Sequence, residues 1–209
     1  MTMTPVANTS VLAEFTGGTQ TDIAMMIGVG VVKDSDAVFF QYLGDEQTPR
    51  ALTLPTSGKP VFNLNNVRLT GIDIAEDIGS FNATKLNLFI ESSAGNTVLV
   101  TSGLQTLWSQ CIITALMGLY DTYSLDIPFT LNSWKGQSGM KPCFASIKVG
   151  RERVSDNAMY EQLKDLRADG NQKRLLQVIR ESVDILKSTL NGGPVDTVEV
   201  AVEANNEDF

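Results

Sequence analysis

The chain has 209 residues, 16 basic and 24 acidic, for a formal net charge of −8, and it contains no histidine. Hydrophobic residues make up 43% of it, enough to build a real core and to exclude a wholly disordered chain. Without histidine, Ser-His-Asp and Cys-His catalysis are excluded, and the commonest general base and metal ligand are missing.

Residues 1–22 are rich in Thr, Gly and Asn and predict a flexible N-terminal arm. Residues 23–32 are apolar with two glycines. A turn at Asp34, Ser35 and Asp36 follows, then a strand over 37–43, so the two segments predict a hairpin. Gly28 and Gly30 form a GxG, but no third glycine follows at dinucleotide spacing, and no Walker A sequence occurs anywhere. Residues 44–60 carry Pro49, Pro55, Gly58 and Pro60 and read as a long loop. A strand is expected over 67–74. Asp73, Glu76 and Asp77 at its end read as a solvated strand end and not as a paired-carboxylate site. Residues 85–91 alternate polar and apolar, 92–96 form a turn, and 97–101 return as a strand.

The period then changes. Leu104, Leu107, Trp108, Cys111, Ile112, Ala115, Leu116 and Leu119 recur at three and four residues, one face of a helix, with Thr101 or Ser102 as its expected cap. Trp108 lies on that apolar stripe and reads as core. Two further strands are expected over 126–135 and 143–151. A helical region begins at Ser155 and breaks at Asp169, Gly170 and Asn171. Its second part carries a short seam, Leu176, Ile179, Val183, Leu186 and Leu190, which reads as packing against its own domain more than as a coiled coil. Cys111 and Cys143 lie in apolar runs and predict free thiols in a reducing compartment; two cysteines without histidine do not make an ordinary zinc site. No secretory pattern opens the sequence, and the apolar run at 111–120 is far too short to span a bilayer, so the expected location is cytoplasmic.

The order strand, strand, strand, helix, strand, strand is that of an OB barrel. The expected fold is therefore β-rich α+β: an OB-like five-stranded barrel with a helix between strands 3 and 4, plus an extra N-terminal hairpin and C-terminal helices. The corresponding division is an arm (1–22), a binding domain (23–153), a helical extension (154–190) and an acidic tail (191–209).

Strand periodicity assigns faces. Ile127, Phe129 and Leu131 share one face, and Thr130, Asn132 and Trp134 the other. Cys143, Ala145, Ile147 and Val149 oppose Phe144, Ser146 and Lys148. Leu86, Leu88 and Ile90 oppose Lys85, Asn87, Phe89 and Glu91. Three aromatics, Phe89, Trp134 and Phe144, thus fall on polar faces beside Lys85, Lys148 and Arg68. Charge is segregated as well: residues 131–180 hold ten basic residues against five acidic ones, a net of +5 that includes Lys135, Arg151 and Arg153. After Lys187 no basic residue occurs, while Asp196, Glu199, Glu203, Glu207 and Asp208 give the tail a net of −5. Aromatics interleaved with cations on a sheet face suit sequence-tolerant binding of single strands, because bases stack on rings while cations track phosphates. The other reading of the same aromatics is a second small core beneath the C-terminal helices or the N-terminal hairpin.

The element order, the polar-face aromatics and the tail closing on Glu207, Asp208 and Phe209 resemble phage and bacterial single-stranded DNA-binding proteins. The resemblance covers residues 67–153 by architecture and 205–209 by tail chemistry. It implies a cytoplasmic, non-catalytic protein of DNA replication or recombination that needs no cofactor or metal and forms a homo-oligomer away from membranes. Its nucleic-acid-binding residues would be Arg68, Lys85, Phe89, Trp134, Lys135, Phe144, Lys148, Arg151 and Arg153. Its partners would be single-stranded DNA and, through Glu207, Asp208 and Phe209, replication or recombination proteins. The tail's Val195, Val198, Val200 and Val202 also alternate well enough for a strand, which fits the alternative: a phage structural or assembly protein whose aromatic face joins subunits.

Overall fold

A computed structural model of the chain describes residues 25–41, 48–78, 82–137 and 142–192. Among them, nine strands form one sheet: β1 (Met25–Val29), β2 (Phe39–Gln41), β3 (Arg50–Ala51), β4 (Asn63–Ile78), β5 (Ala83–Glu91), β6 (Thr97–Gly103), β7 (Phe129–Lys135), β8 (Cys143–Val149) and β9 (Glu152–Val154). Three helices accompany it: α1 (Leu107–Thr122), α2 (Asn157–Ala168) and α3 (Gln172–Leu190). The strand order is β3-β2-β1-β6-β5-β4-β7-β8-β9. Neighbours are antiparallel except β1 and β6, which run parallel with Met26 beside Leu99 and Gly28 beside Thr101.

The protein is therefore β-rich α+β, and the expected run of three strands, a helix and two strands is present as β4, β5, β6, α1, β7 and β8. The closed five-stranded barrel is not. β1 takes the free side of β6, which extends the sheet where a barrel would have to close, and the sheet ends on the short edges β3 and β9. Along β4 the pairing changes. β5 lies on one side for most of its length, but β7 pairs only across Asn63–Val67. Beyond that point α3 lies against β4, tied to it by Lys187–Asp73 at 2.9 Å and Arg180–Glu76 at 2.6 Å.

Several boundaries differ for identifiable reasons. β7 starts at Phe129 and not near 126, because Pro128 has no N–H to give the ladder. The cap of α1 is Thr106, whose side chain accepts from the Ser109 N–H at 3.2 Å; β6 continues to Gly103 and occupies the earlier candidates. The loop over 44–60 contains β3 and an isolated bridge between Thr53 and Pro60. The N-terminal hairpin is present as β1 and β2, with Gly28 opposite Phe40. A Cβ at Gly28 would lie 2.3 Å from the Phe40 ring, so only glycine fits beneath it.

One core joins sheet and helices. Leu64, Leu69, Leu88, Val100, Leu131 and Ile147 supply it from the sheet, and Trp108, Ile112, Leu116, Leu163, Ile179 and Leu186 from the helices. Trp108 is 0% exposed, and its Nε1–H donates to Ser133 Oγ at 2.9 Å, so the one polar atom of a buried indole is satisfied. Of the expected α3 seam, Ile179, Val183 and Leu186 are buried in this same core, while Leu176 and Leu190 are only half-buried and the face turns to include Leu175 and Val178. α1 meets the β9–α2 connection at Gly118, where a Cβ would stand 2.4 Å from the Ser155 carbonyl carbon. The Asp156 N–H donates to the Thr114 carbonyl at 2.8 Å in the same place. Both cysteines are free thiols, Cys143 buried and Cys111 half-buried. No helix among the described residues is long and apolar enough to cross a membrane.

Candidate nucleic-acid interface

The β7–β8 hairpin sets Trp134 directly opposite Phe144, Asn132 opposite Ser146, and Thr130 opposite Lys148. Cross-strand partners share a face, so these six side chains lie on one side of the sheet, away from Leu131, Ala145 and Ile147. The Trp134 and Phe144 rings stack with centroids 6.0 Å apart and planes 19° from parallel. Trp134 remains 39% exposed. Gly136 lies close beneath the pair: a Cβ there would stand 3.0 Å from the Phe144 ring.

Four residues along β8 from Phe144, about 13 Å at ~3.3 Å per residue, the same face becomes cationic. Lys148 stands directly opposite Arg153 of β9, and Arg151 occupies the turn between them, all three exposed. None of the three has an acidic partner within 4 Å among the described residues. Like charges directly opposite destabilise a strand pair, so Lys148 and Arg153 are set against each other without local compensation. Arg68 is also exposed on β4, one residue past the Val67–Phe129 pair and so diagonal to Thr130.

The remaining sequence candidates lie elsewhere. Asn132 faces Asn63, whereas Phe89 faces Gly71, eight residues further along β4, or about 26 Å along the strand. Trp134 is two residues further away again. Phe89 therefore does not share a site with the Trp134–Phe144 pair. Its ring lies over Gly71, whose Cβ position is 3.1 Å from it, and it lines a crevice with Lys187 and Leu190 of α3 and the capping Asn191. Lys85, opposite Ala75 and Gly103, is more remote still. The expected single face with three aromatics is thus divided, because β4 is long enough to serve two separate neighbourhoods. Lys135 is not a free groove cation: its ammonium donates to the Val32 and Ser35 carbonyls and pins the β1–β2 connection. The partner-docking residues Glu207, Asp208 and Phe209, and the arm over 1–22, lie outside the described residues.

The tertiary structure adds residues that strand periodicity could not select. Phe144 lines a crevice with Leu107, Gln110 and Cys111 of α1 and with Tyr160, Leu163 and Arg167 of α2. A neighbouring crevice is lined by Cys111, Ser146, Arg153 and Tyr160, among others. Burial pushes the Cys111 thiol up, while a contact to the Ala145 backbone and the Arg153 and Arg167 guanidiniums pull it down. Arg167 also donates to Gln110 Oε1 at 2.5 Å, which anchors it on α1. Tyr160, Leu163 and Arg167 recur at three and four residues on α2, a helical stripe whose signal was present in the sequence. Nothing there said that the stripe meets Phe144. Comparison with protein-family models, with curated proteins and with solved structures finds no match to this chain.

Proposed function

We propose that this protein is a non-catalytic single-stranded DNA-binding protein that works in the cytoplasm. The observation that carries the reading is the stacked, partly exposed Trp134–Phe144 pair on the same sheet face as the opposed cations Lys148 and Arg153. Exposed rings accept base faces, which duplex DNA keeps hidden within its stack. A phosphate lying between Lys148 and Arg153 relieves the repulsion that the fold leaves there. Arg151 and Arg68 extend the positive path to either side. In this reading the acidic tail competes with DNA for these cations, and its end, Glu207 to Phe209, docks replication or recombination partners.

Titration of tryptophan fluorescence with oligo-dT and with a duplex of equal length, at low and at physiological salt, tests the proposal. Trp134 is the reporter and the buried Trp108 the silent reference. Quenching is expected with the single strand at lower concentration than with duplex, and affinity falls with salt by a log–log slope of about −0.7 for each phosphate contact. Trp134→Ala is expected to weaken binding by about 1–3 kcal/mol, one stacking platform. Equal affinity for duplex and single strand, or no binding at low salt, overturns the proposal.

An assembly role is favoured by one other observation. Met26, Leu99 and Phe89 form a row across β1, β6 and β5, with Met26 58% and Phe89 37% exposed. A second copy of the chain could cover this row without touching the Trp134 face. Sedimentation of Met26→Lys against the unaltered protein tests it: loss of an oligomer supports association through the row, and an unchanged mass refutes it.

A further inference from the structure

We propose that the single strand continues from the Trp134–Phe144 pair across the mouths of the two narrow crevices between β8, α1 and α2, where Tyr160 is a third stacking ring and Arg153 and Arg167 hold the flanking phosphates. This rests on the DNA-binding reading above and assigns the route by which the strand leaves the aromatic pair. Phe144 belongs to both the stacked pair and the crevice, so the two surfaces are continuous. Tyr160 is 38% exposed and lines both the crevice at Phe144 and the neighbouring one at Ser146 and Arg153. Arg167 lines the crevice at Phe144 and Arg153 lines the neighbouring one, with Cys111 and Tyr160 common to both. Arg153 has no acidic partner within 4 Å among the described residues. Arg167 uses one Nη on Gln110 and keeps further N–H donors of its planar fork for a phosphate. The acid nearest in sequence to the ring, Glu161, is already paired with Lys164 at 2.6 Å. An aromatic ring between two cations is the arrangement that takes one base with its two adjoining phosphates.

Cys111 gives this route its own reporter, separate from Trp134. The full-length protein is alkylated with iodoacetamide at a pH high enough to ionise the thiol, with and without oligo-dT, and the rates at Cys111 and Cys143 are read by peptide mapping. Tryptophan quenching is followed in the same samples. Alkylation of Cys111 is expected to slow over the same oligo-dT concentrations that quench Trp134, with Cys143 unchanged. Tyr160→Ala is expected to lower oligo-dT affinity about 5- to 150-fold, the range of one stacked base, and Tyr160→Phe to retain it. Saturated quenching with Cys111 alkylated at its free rate overturns the crevice route while leaving the Trp134 face intact. Equal slowing at both cysteines also overturns it, since that reports general stabilisation. Absence of quenching overturns the DNA-binding reading and this route with it.

Discussion

Neutralising Lys148 or Arg153 should stabilise the free protein and weaken its hold on DNA. The two side chains face each other across β8 and β9, with Cβ atoms about 5 Å apart for a directly opposed pair. Their long stems splay, so a charge separation of about 7 Å is reasonable, and two unit charges at that distance in water repel by about 0.6 kcal/mol. Screening over a Debye length of about 8 Å at physiological salt reduces this to a few tenths of a kcal/mol. Lys148→Gln or Arg153→Gln keeps most of each apolar stem and removes one charge. Either variant alone should therefore gain those few tenths, and the double variant should gain no more, because the first substitution already abolishes the repulsion. Binding behaves differently. Each variant loses one phosphate contact, so the salt slope for oligo-dT should fall by about 0.7 in each and by about 1.4 in the double. Urea denaturation midpoints give the first quantity, and fluorescence titration across a salt series gives the second. Stability gains that add in the double variant would refute the opposed-charge argument. A salt slope unchanged in all three would refute the placement of phosphates on this face.

Ser133→Ala should cost about 1–3 kcal/mol in urea denaturation, since it strands the buried Trp108 N–H that Ser133 Oγ accepts; an unchanged midpoint would mean that the indole finds another acceptor. Gly118→Ala places a methyl 2.4 Å from backbone at Ser155, and overpacking of about 1–3 kcal/mol should outweigh the gain of about 1 kcal/mol in helix propensity. Its Tm should fall, and a rise would contradict the close approach of α1 to the β9–α2 connection. Burial and then the neighbouring Asp156 carboxylate raise the Asp121 pKa, so the folded protein holds that proton to higher pH than the unfolded chain. Stability therefore declines as pH rises through that window, and Asp121→Asn should be more stable than the unaltered protein at pH 7. Well below the ordinary carboxylate pKa, where both states are protonated, the difference should vanish. A stability difference that is the same at both ends of a pH series would remove Asp121 as the cause.

Local pattern determined much of this protein. The alternation over residues 85–91 and 129–135 fixed which side chains turn inward, because successive residues of a strand point to opposite faces. The change to a three-and-four spacing after Leu104 marked α1 and made Trp108 a core residue. Gly170, with φ at +69°, broke the C-terminal helical region where Asp169, Gly170 and Asn171 announced it. Pairing between distant segments was decided only by the tertiary structure. β1 lies parallel to β6 across some seventy residues of chain, and no short-range signal distinguishes that choice from a closing barrel. For the same reason the polar-face aromatics, equivalent by periodicity, parted company. Register along β4 gave Phe89 to Gly71 and the end of α3, and left Trp134 with Phe144. Lys135 was spent on two carbonyls of the β1–β2 connection, while Tyr160 and Arg167 were brought from a separate helix to the crevice beside Phe144. A sequence states the face on which a side chain sits, since that is set by its own backbone; its neighbours on that face are set by strand order and register, which belong to the whole fold.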